Sequence, residues 1–276
     1  MKSIYRLTVL LFGIVLIVNC TKETPLRSDF EAQVFIFGYI SNQVDYVTVN
    51  VQSTVPVNST ETNPVTNASI SLFTKDSNDN TSLVTDDFTE SNGEYQSSQM
   101  ITPISGNYYW IELETTDGVS FISAQEKMNP PVLIKEITKD NGNLRVIFND
   151  PGNQANFYRV TISSSDTNNN FITRETQLSN DILFDGNENA FIEISEVFEN
   201  NIEATLVNLN YDSYQFFLNV AAQEEANDND GESGDPGPLF SPPPVNLTGN
   251  ITNTTINKKA LGNFSVISAD SRTANF

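Results

Sequence analysis

Few side chains in this sequence are equipped for chemistry, and their spacing decides what kind. Cys20 is the one cysteine among 276 residues, and there is no histidine. That removes the commonest general base, the commonest zinc ligand and every Ser-His or Cys-His nucleophile pair. Carboxylate, lysine and tyrosine remain. Paired carboxylates hydrolyse glycosidic bonds at a suitable separation, but among 35 Asp and Glu no pair stands apart by position, so a chain with no catalytic residue and no cofactor is expected. Asp76, Asn78, Asn80 and Asp87 have the spacing of calcium-loop oxygens. Thr81 stands where the sharp turn needs glycine and no Glu closes the loop, so the stretch reads as a hairpin tip. Asp228, Asp230, Glu232 and Asp235 lie among Gly231, Gly234 and Gly237. Flexible carboxylates suit calcium, but this spacing fits no known loop, so these four are the weak metal candidates in a run that reads as solvated. Tyr108, Tyr109 and Trp110 are candidates for stacking on sugars. Alternation puts Tyr109 with Ile111 on one face and Tyr108 with Trp110 on the other, so at least one face is core.

The surroundings of Cys20 specify its use. Lys2 and Arg6 form a short positive region, Thr8 to Val18 is a nearly continuous apolar run, and the chain turns polar directly after Cys20. This is the layout of a secretory signal peptide. The apolar run is short of the ~20 residues that span a bilayer. Ile17, Val18, Asn19 and Cys20 occupy the place of a bacterial lipobox, with Asn19 departing from the usual small residue. The expectation is a signal over residues 1–19 and lipidation of Cys20; an ordinary cleaved signal with an incidental thiol is the alternative. A second acyl chain makes such an anchor stable.

Removal of 1–19 leaves enough chain for one large or two ordinary domains. Fourteen Lys and Arg against 35 acids give a net charge of -21, which repels nucleic acid and anionic membrane surfaces. With one cysteine no internal disulfide forms, so packing must supply the stability. No second apolar run reaches spanning length.

Residues 20–32 read as a polar tether. From 33 the pattern is β: strands are predicted at 34–40, 46–51, 68–72, 83–88, 94–100, 108–114 and 119–124, separated by turn pairs such as Asn92-Gly93 and Asp117-Gly118. Seven short strands at this spacing predict an Ig-like or transthyretin-like β-sandwich over 33–129. Asn129-Pro130-Pro131 cannot continue a ladder and marks the boundary. A second β-rich domain, 130–276, follows, with strands at 132–137, 144–148, 157–163, 171–178 and 190–194, and closing strands at 246–255 and 261–267. Tyr214, Phe217, Leu218, Ala221 and Ala222 share one helix face, predicting a helix over about 211–226 with Asn210 or Asp212 as cap. The rival reading alternates Tyr214, Phe216, Leu218 and Val220 as a strand. The sequons at Asn67, Asn250 and Asn263 read as chance in an Asn- and Thr-rich chain.

Residues 35–43 (FIFGYISNQ), 67–72 (NASISL), 92–95 (NGEY), 106–123 (GNYYWIELETTDGVSFIS), the 211–223 helix and 242–264 (PPPVNLTGNI to LGNF) together resemble an uncharacterised family of Bacteroidetes surface lipoproteins. The genes of that family commonly lie beside those of TonB-dependent receptors. The first domain also resembles carboxypeptidase-regulatory or transthyretin-like sandwiches. The resemblance implies an outer-membrane lipoprotein facing the cell exterior and partnering a TonB-dependent outer-membrane receptor, and it transfers no catalytic motif. Lys22 and Glu23, with Ser28, Asp29, Phe30 and Glu31, resemble the surface-display signals of such bacteria. The sequence departs from the pattern at 227–239. The function expected is non-catalytic ligand capture beside a nutrient transporter, with the ligand unidentified. A structural or adhesive surface protein is the alternative.

Overall fold

The computed structural model describes residues 30–56, 59, 61–140, 142–165, 171–195, 201–228 and 246–276. The first strands are β1 (Val34–Ser41), β2 (Thr48–Ser53), β3 (Ser69–Lys75), β4 (Thr81–Thr85), β5 (Phe88–Ser91) and β6 (Glu94–Ser97). They are followed by β7 (Tyr108–Glu114), β8 (Ser120–Ser123) and β9 (Glu126–Lys127). Beyond the diproline come β10 (Ile134–Asp140), β11 (Asn143–Phe148), β12 (Phe157–Ser165), β13 (Phe171–Asn180), β14 (Ala190–Ile194) and β15 (Ile202–Leu209). The helix α1 (Tyr211–Asp228) and strands β16 (Thr248–Asn253) and β17 (Lys258–Ala274) complete the chain. Among the described residues the protein is mainly β with one helix, which lies near the C-terminus, as the sequence predicts.

Fourteen strands join in one hydrogen-bonded sheet, whose main path runs β4-β3-β7-β8-β16-β17-β1-β2-β6-β5. It wraps as a sandwich around a core of Ile36, Val49, Leu72, Tyr95, Ile111 and Phe264 among others. Period-2 burial places these side chains inward. Asn92 and Gly93 take positive φ at the β5–β6 turn, the backbone that such a two-residue hairpin needs. Ala68 and Tyr95 meet directly: the phenol accepts from the Ala68 amide and donates to the Val65 carbonyl, each at 2.8 Å. The predicted strand 83–88 is two strands, which separate at Asp86-Asp87; β4 pairs with β3 and β5 with β6.

The core lining changes at the diproline. Met128 belongs to the first core and Val132 to a second one. In that second core the three-stranded sheet β10-β11-β14 faces β12 and β15. Leu144, Val146 and Phe148 pack there on Tyr158, Val160 and Leu206. The C-terminal strands return to the first core, which takes Ile251 from β16 and Ala260, Phe264 and Val266 from β17. Residues Ala32–Phe276 thereby form one compact unit.

The long strand β17 accounts for this. Its segment Leu261–Ile267 lies parallel to Phe35–Ser41 of β1, and Ser268–Ala274 continues antiparallel to β15. Gly262 permits the close approach. It has φ +101°, and a Cβ placed there would stand 1.8 Å from the Ile36 carbonyl oxygen.

Helix α1 covers the outer face of this sheet, with Phe37 of β1 stacked on Phe216 at 5.9 Å between ring centroids. The buried face differs from the predicted one: Ser213, Tyr214 and Phe216 are buried, whereas Leu218, Ala221 and Ala222 are exposed. The polar Ser213 is drawn inward because buried hydrogen-bond partners wait beneath it.

Replacing Gly262 with Ala should cost at least about 3 kcal/mol, from backbone strain added to a main-chain collision. Gly118 also has positive φ but open space around it, so Gly118→Ala should cost only about 1 kcal/mol. Urea unfolding of both variants measures the difference; equal losses would show that the β1–β17 contact is not limiting.

Candidate functional site

Of the residues nominated by sequence, Cys20, Asp230, Glu232 and Asp235 lie outside the described residues, and Asp228 is the last residue of α1. Asp76 closes a hairpin tip: its carboxylate accepts from the amides of Asn78 and Asn80 and from the Asn80 side chain. These bonds hold its pKa below the usual value. Tyr109 and Trp110 are 3% and 4% exposed, so neither ring is open to a sugar. Trp110 stacks on Phe73 at 5.5 Å, and Lys75 lies over Tyr108.

Three clusters of polar side chains are assembled by the fold instead. The first surrounds Glu126, a carboxylate 5% exposed at the junction of β9, α1, β16 and β17. It accepts from Asn250 Nδ2 at 2.9 Å, the Val266 amide at 3.1 Å, Ser213 Oγ at 3.1 Å and Asn210 Nδ2 at 3.3 Å. Asn263 Nδ2 donates to Ser213 Oγ, and Asn263 Oδ1 accepts the Asn250 amide. Asn210 directly precedes the helix, but its amide donates to Val266 and Lys127 carbonyls, so it clamps the helix start to two strands. Burial pushes the Glu126 pKa up to about 7, and the converging donors hold it from rising further. Asn250 and Asn263 are buried members of this cage. Their sequons are therefore closed to glycosylation. The legible signal was a repeated Gly-Asn pair inside two β-patterned runs: Gly249 lies against Gly262 and Asn263, where a Cβ would come within 2.5 Å of Asn263 Oδ1.

The second cluster joins the loop after β11 to the loop after β13. Oxygens of Asp150, Asp181 and Asp185 lie within 4.8 Å of one another. Each has donors within the protein: Tyr158 OH and the Gly186 amide for Asp150, the Asn156 amide and side chain for Asp181, and the Asn153 amide for Asp185. Burial raises the Asp150 pKa, and burial with the adjacent Asp150 raises that of Tyr158. Three carboxylates at this distance are a donor set that a hard cation could use, while their hydrogen bonds staple the loops.

The third is a groove of about 510 Å³ between the middle of α1 and strands β12 and β13. Leu178, Phe217, Leu218, Val220 and Ala221 give it an apolar lining, and Arg159 supplies a cation. The guanidinium lies 4.4 Å from the Phe217 ring centroid, and its buried Nε has no hydrogen-bond acceptor. Burial lowers the Arg159 pKa, with Tyr39 opposing this. The guanidinium remains protonated because its intrinsic pKa is so high. Among the described residues it has no ion pair. Arg159 carries no sequence signal, since it occupies an ordinary polar position of an alternating strand.

Comparison with known proteins gives one family. The family described as "Domain of unknown function (DUF4249)" matches residues 21–273. No curated protein matches the chain. Among solved structures, a tetra-tandem repeat from the extending region of a large adhesion protein is 12% identical, with TM-score 0.24, over 65% of this chain and 46% of that one. Trypsin-activated alpha-2-macroglobulin from Escherichia coli is 12% identical, with TM-score 0.21, over 65% of this chain and 14% of that one. The calcium-binding domain CBD12 of CALX1.1 is 12% identical, with TM-score 0.18, over 85% and 98%. The chain thus spans less than half the length of the first two, and at these scores none of the three carries a function over.

The Glu126 cage has a signature in pH. Its folded pKa of about 7 exceeds the ordinary glutamate value of 4.5, so the folded state holds the proton more tightly than the unfolded state does. This stability is fully present below the unfolded pKa and is lost as pH rises through the folded one, by about 3 kcal/mol in all. Denaturant unfolding between pH 4.5 and pH 8 should show that decline, and Glu126→Gln should flatten it. An unchanged slope in the variant would place the titration elsewhere.

Proposed function

The chain belongs to the DUF4249 family, and from that premise we propose that it is a lipid-anchored, non-catalytic outer-membrane protein capturing a ligand for a TonB-dependent transporter. The observation that carries the anchor is Cys20, the one cysteine of the chain, placed directly after an apolar run with a positive start. Two acyl chains on that residue hold a protein at a bilayer far more firmly than one. Among the described residues no helix is long and apolar enough to cross a membrane.

The transporter enters through the resemblance to Bacteroidetes surface lipoproteins whose genes neighbour those of TonB-dependent receptors. In this reading the protein faces the cell exterior. The net charge of -21 disfavours nucleic acid as a partner. Capture of a small ligand is supported by the groove beside α1, where apolar walls surround a cation that has no ion pair among the described residues. Such a combination of apolar lining and few oriented polar groups is the usual make-up of a small-molecule site.

Labelled palmitate should enter the mature protein, and Cys20→Ala should abolish the label and release the chain into the soluble fraction. Mild-detergent extraction of the wild type should recover a large β-barrel protein bound to it. An unlabelled soluble product would overturn the anchor, and recovery as a lone chain would overturn the partnership.

A further inference from the structure

Several cations elsewhere in the fold have acceptors. Arg145 pairs with Glu193 at 2.6 Å and with Asp140 at 2.8 Å. Lys75 pairs with Asp79, Lys135 donates to the Glu188 carbonyl and the Asn189 side chain, and Arg272 donates to the Ile134 and Lys135 carbonyls. Arg159 is treated differently. Its Nε is sealed from water with no acceptor, and its plane is held on Phe217 at the wall of the groove. Glu224 is the one carboxylate lining the groove. It is exposed and makes no ion pair with Arg159 among the described residues.

A protein carrying 35 acidic side chains has many ways to neutralise one arginine, yet among the described residues this one has no ion pair and its buried Nε no acceptor. A guanidinium is a rigid fork of donors that matches a carboxylate, and water exclusion strengthens the bond between them. Apolar walls extend from it along Leu178, Leu218 and Ala221. The volume of about 510 Å³ is within the ~300–1,000 Å³ of sites that hold small molecules.

We infer that this groove binds a small organic anion: a carboxylate on Arg159 and an aromatic or aliphatic body against Phe217, Leu218 and Ala221. The inference rests on the ligand-capture reading above and names the chemical class that the site takes. Selectivity follows from the single cation. A neutral analogue of the same shape fills the apolar walls but leaves the guanidinium without its acceptor, and so binds more weakly.

Titration calorimetry on the full chain in detergent micelles, with 3-phenylpropanoate and its neutral amide 3-phenylpropanamide as probes, tests this. The wild type should bind the carboxylate about 10- to 100-fold more tightly than the amide, the range of a charge-assisted bond. Arg159→Gln should erase that preference while retaining binding of the amide, and Ala221→Trp, which fills the groove from an exposed position, should block both probes. Equal affinity of the wild type for the two probes, binding of neither, or a preference that survives in Arg159→Gln would overturn the inference. Membrane anchorage and recovery of the β-barrel partner are measured separately, so a failed titration with those intact defeats the ligand class and leaves the accessory role standing.

Discussion

The parallel contact between β1 and β17 is the constraint on which the rest of the body depends. A strand of 17 residues extends for about 55 Å at the usual rise, long enough to serve two cores in succession. Its first half fills the gap between β16 and β1 and contributes Phe264 and Val266 to the first core. Its second half pairs with β15 and lies against the second core through Ala274. Two sandwiches that would otherwise be joined through a diproline are thereby built on one continuous backbone. The diproline itself is tied to the same strand, since Ser268 Oγ donates to the Pro130 carbonyl.

Two ionisable groups lie against the helix, and the fold treats them in opposite ways. At the N-terminal end Glu126 is enclosed by donors from α1, β16, β17 and the residue before the helix. A buried carboxylate is tolerable only with such partners. Near the middle of the helix Arg159 lies on Phe217, and its buried Nε has no acceptor. The first arrangement fixes where the helix begins and turns Ser213 inward. The second lines a groove between the helix and β13.

What the sequence disclosed follows from periodicity. Strands with one wet face, such as β7 and β12, alternate cleanly and were legible, as was the turn at Asn92-Gly93. β15 was not. In its sequence Ile202, Ala204 and Leu206 alternate toward the second core, but Val207 and Leu209 are buried as well because α1 covers the other side. Burial on both faces erases the period-2 signal. The helix was legible as an element, while its inward face was not, because a serine and a distant glutamate set the rotation and hydrophobic spacing does not report on that. The candidate site was hidden for a related reason. Arg159 looks like any polar residue of a strand, and only the tertiary arrangement buries its Nε without an acceptor.

The position of the closing strand also has a consequence in time. Asn42 and Ala269 exchange hydrogen bonds across 227 positions of chain. Loop closure over such a distance must precede any gain from the contact, so a topology of this kind folds slowly. While the chain is being made, β1 and β8 have no partner on the side where β17 and β16 will lie, and the first core stays open. The first core therefore closes only once β16 and β17 have been made. Until then, its unpaired strand edges are the part most exposed to misassembly.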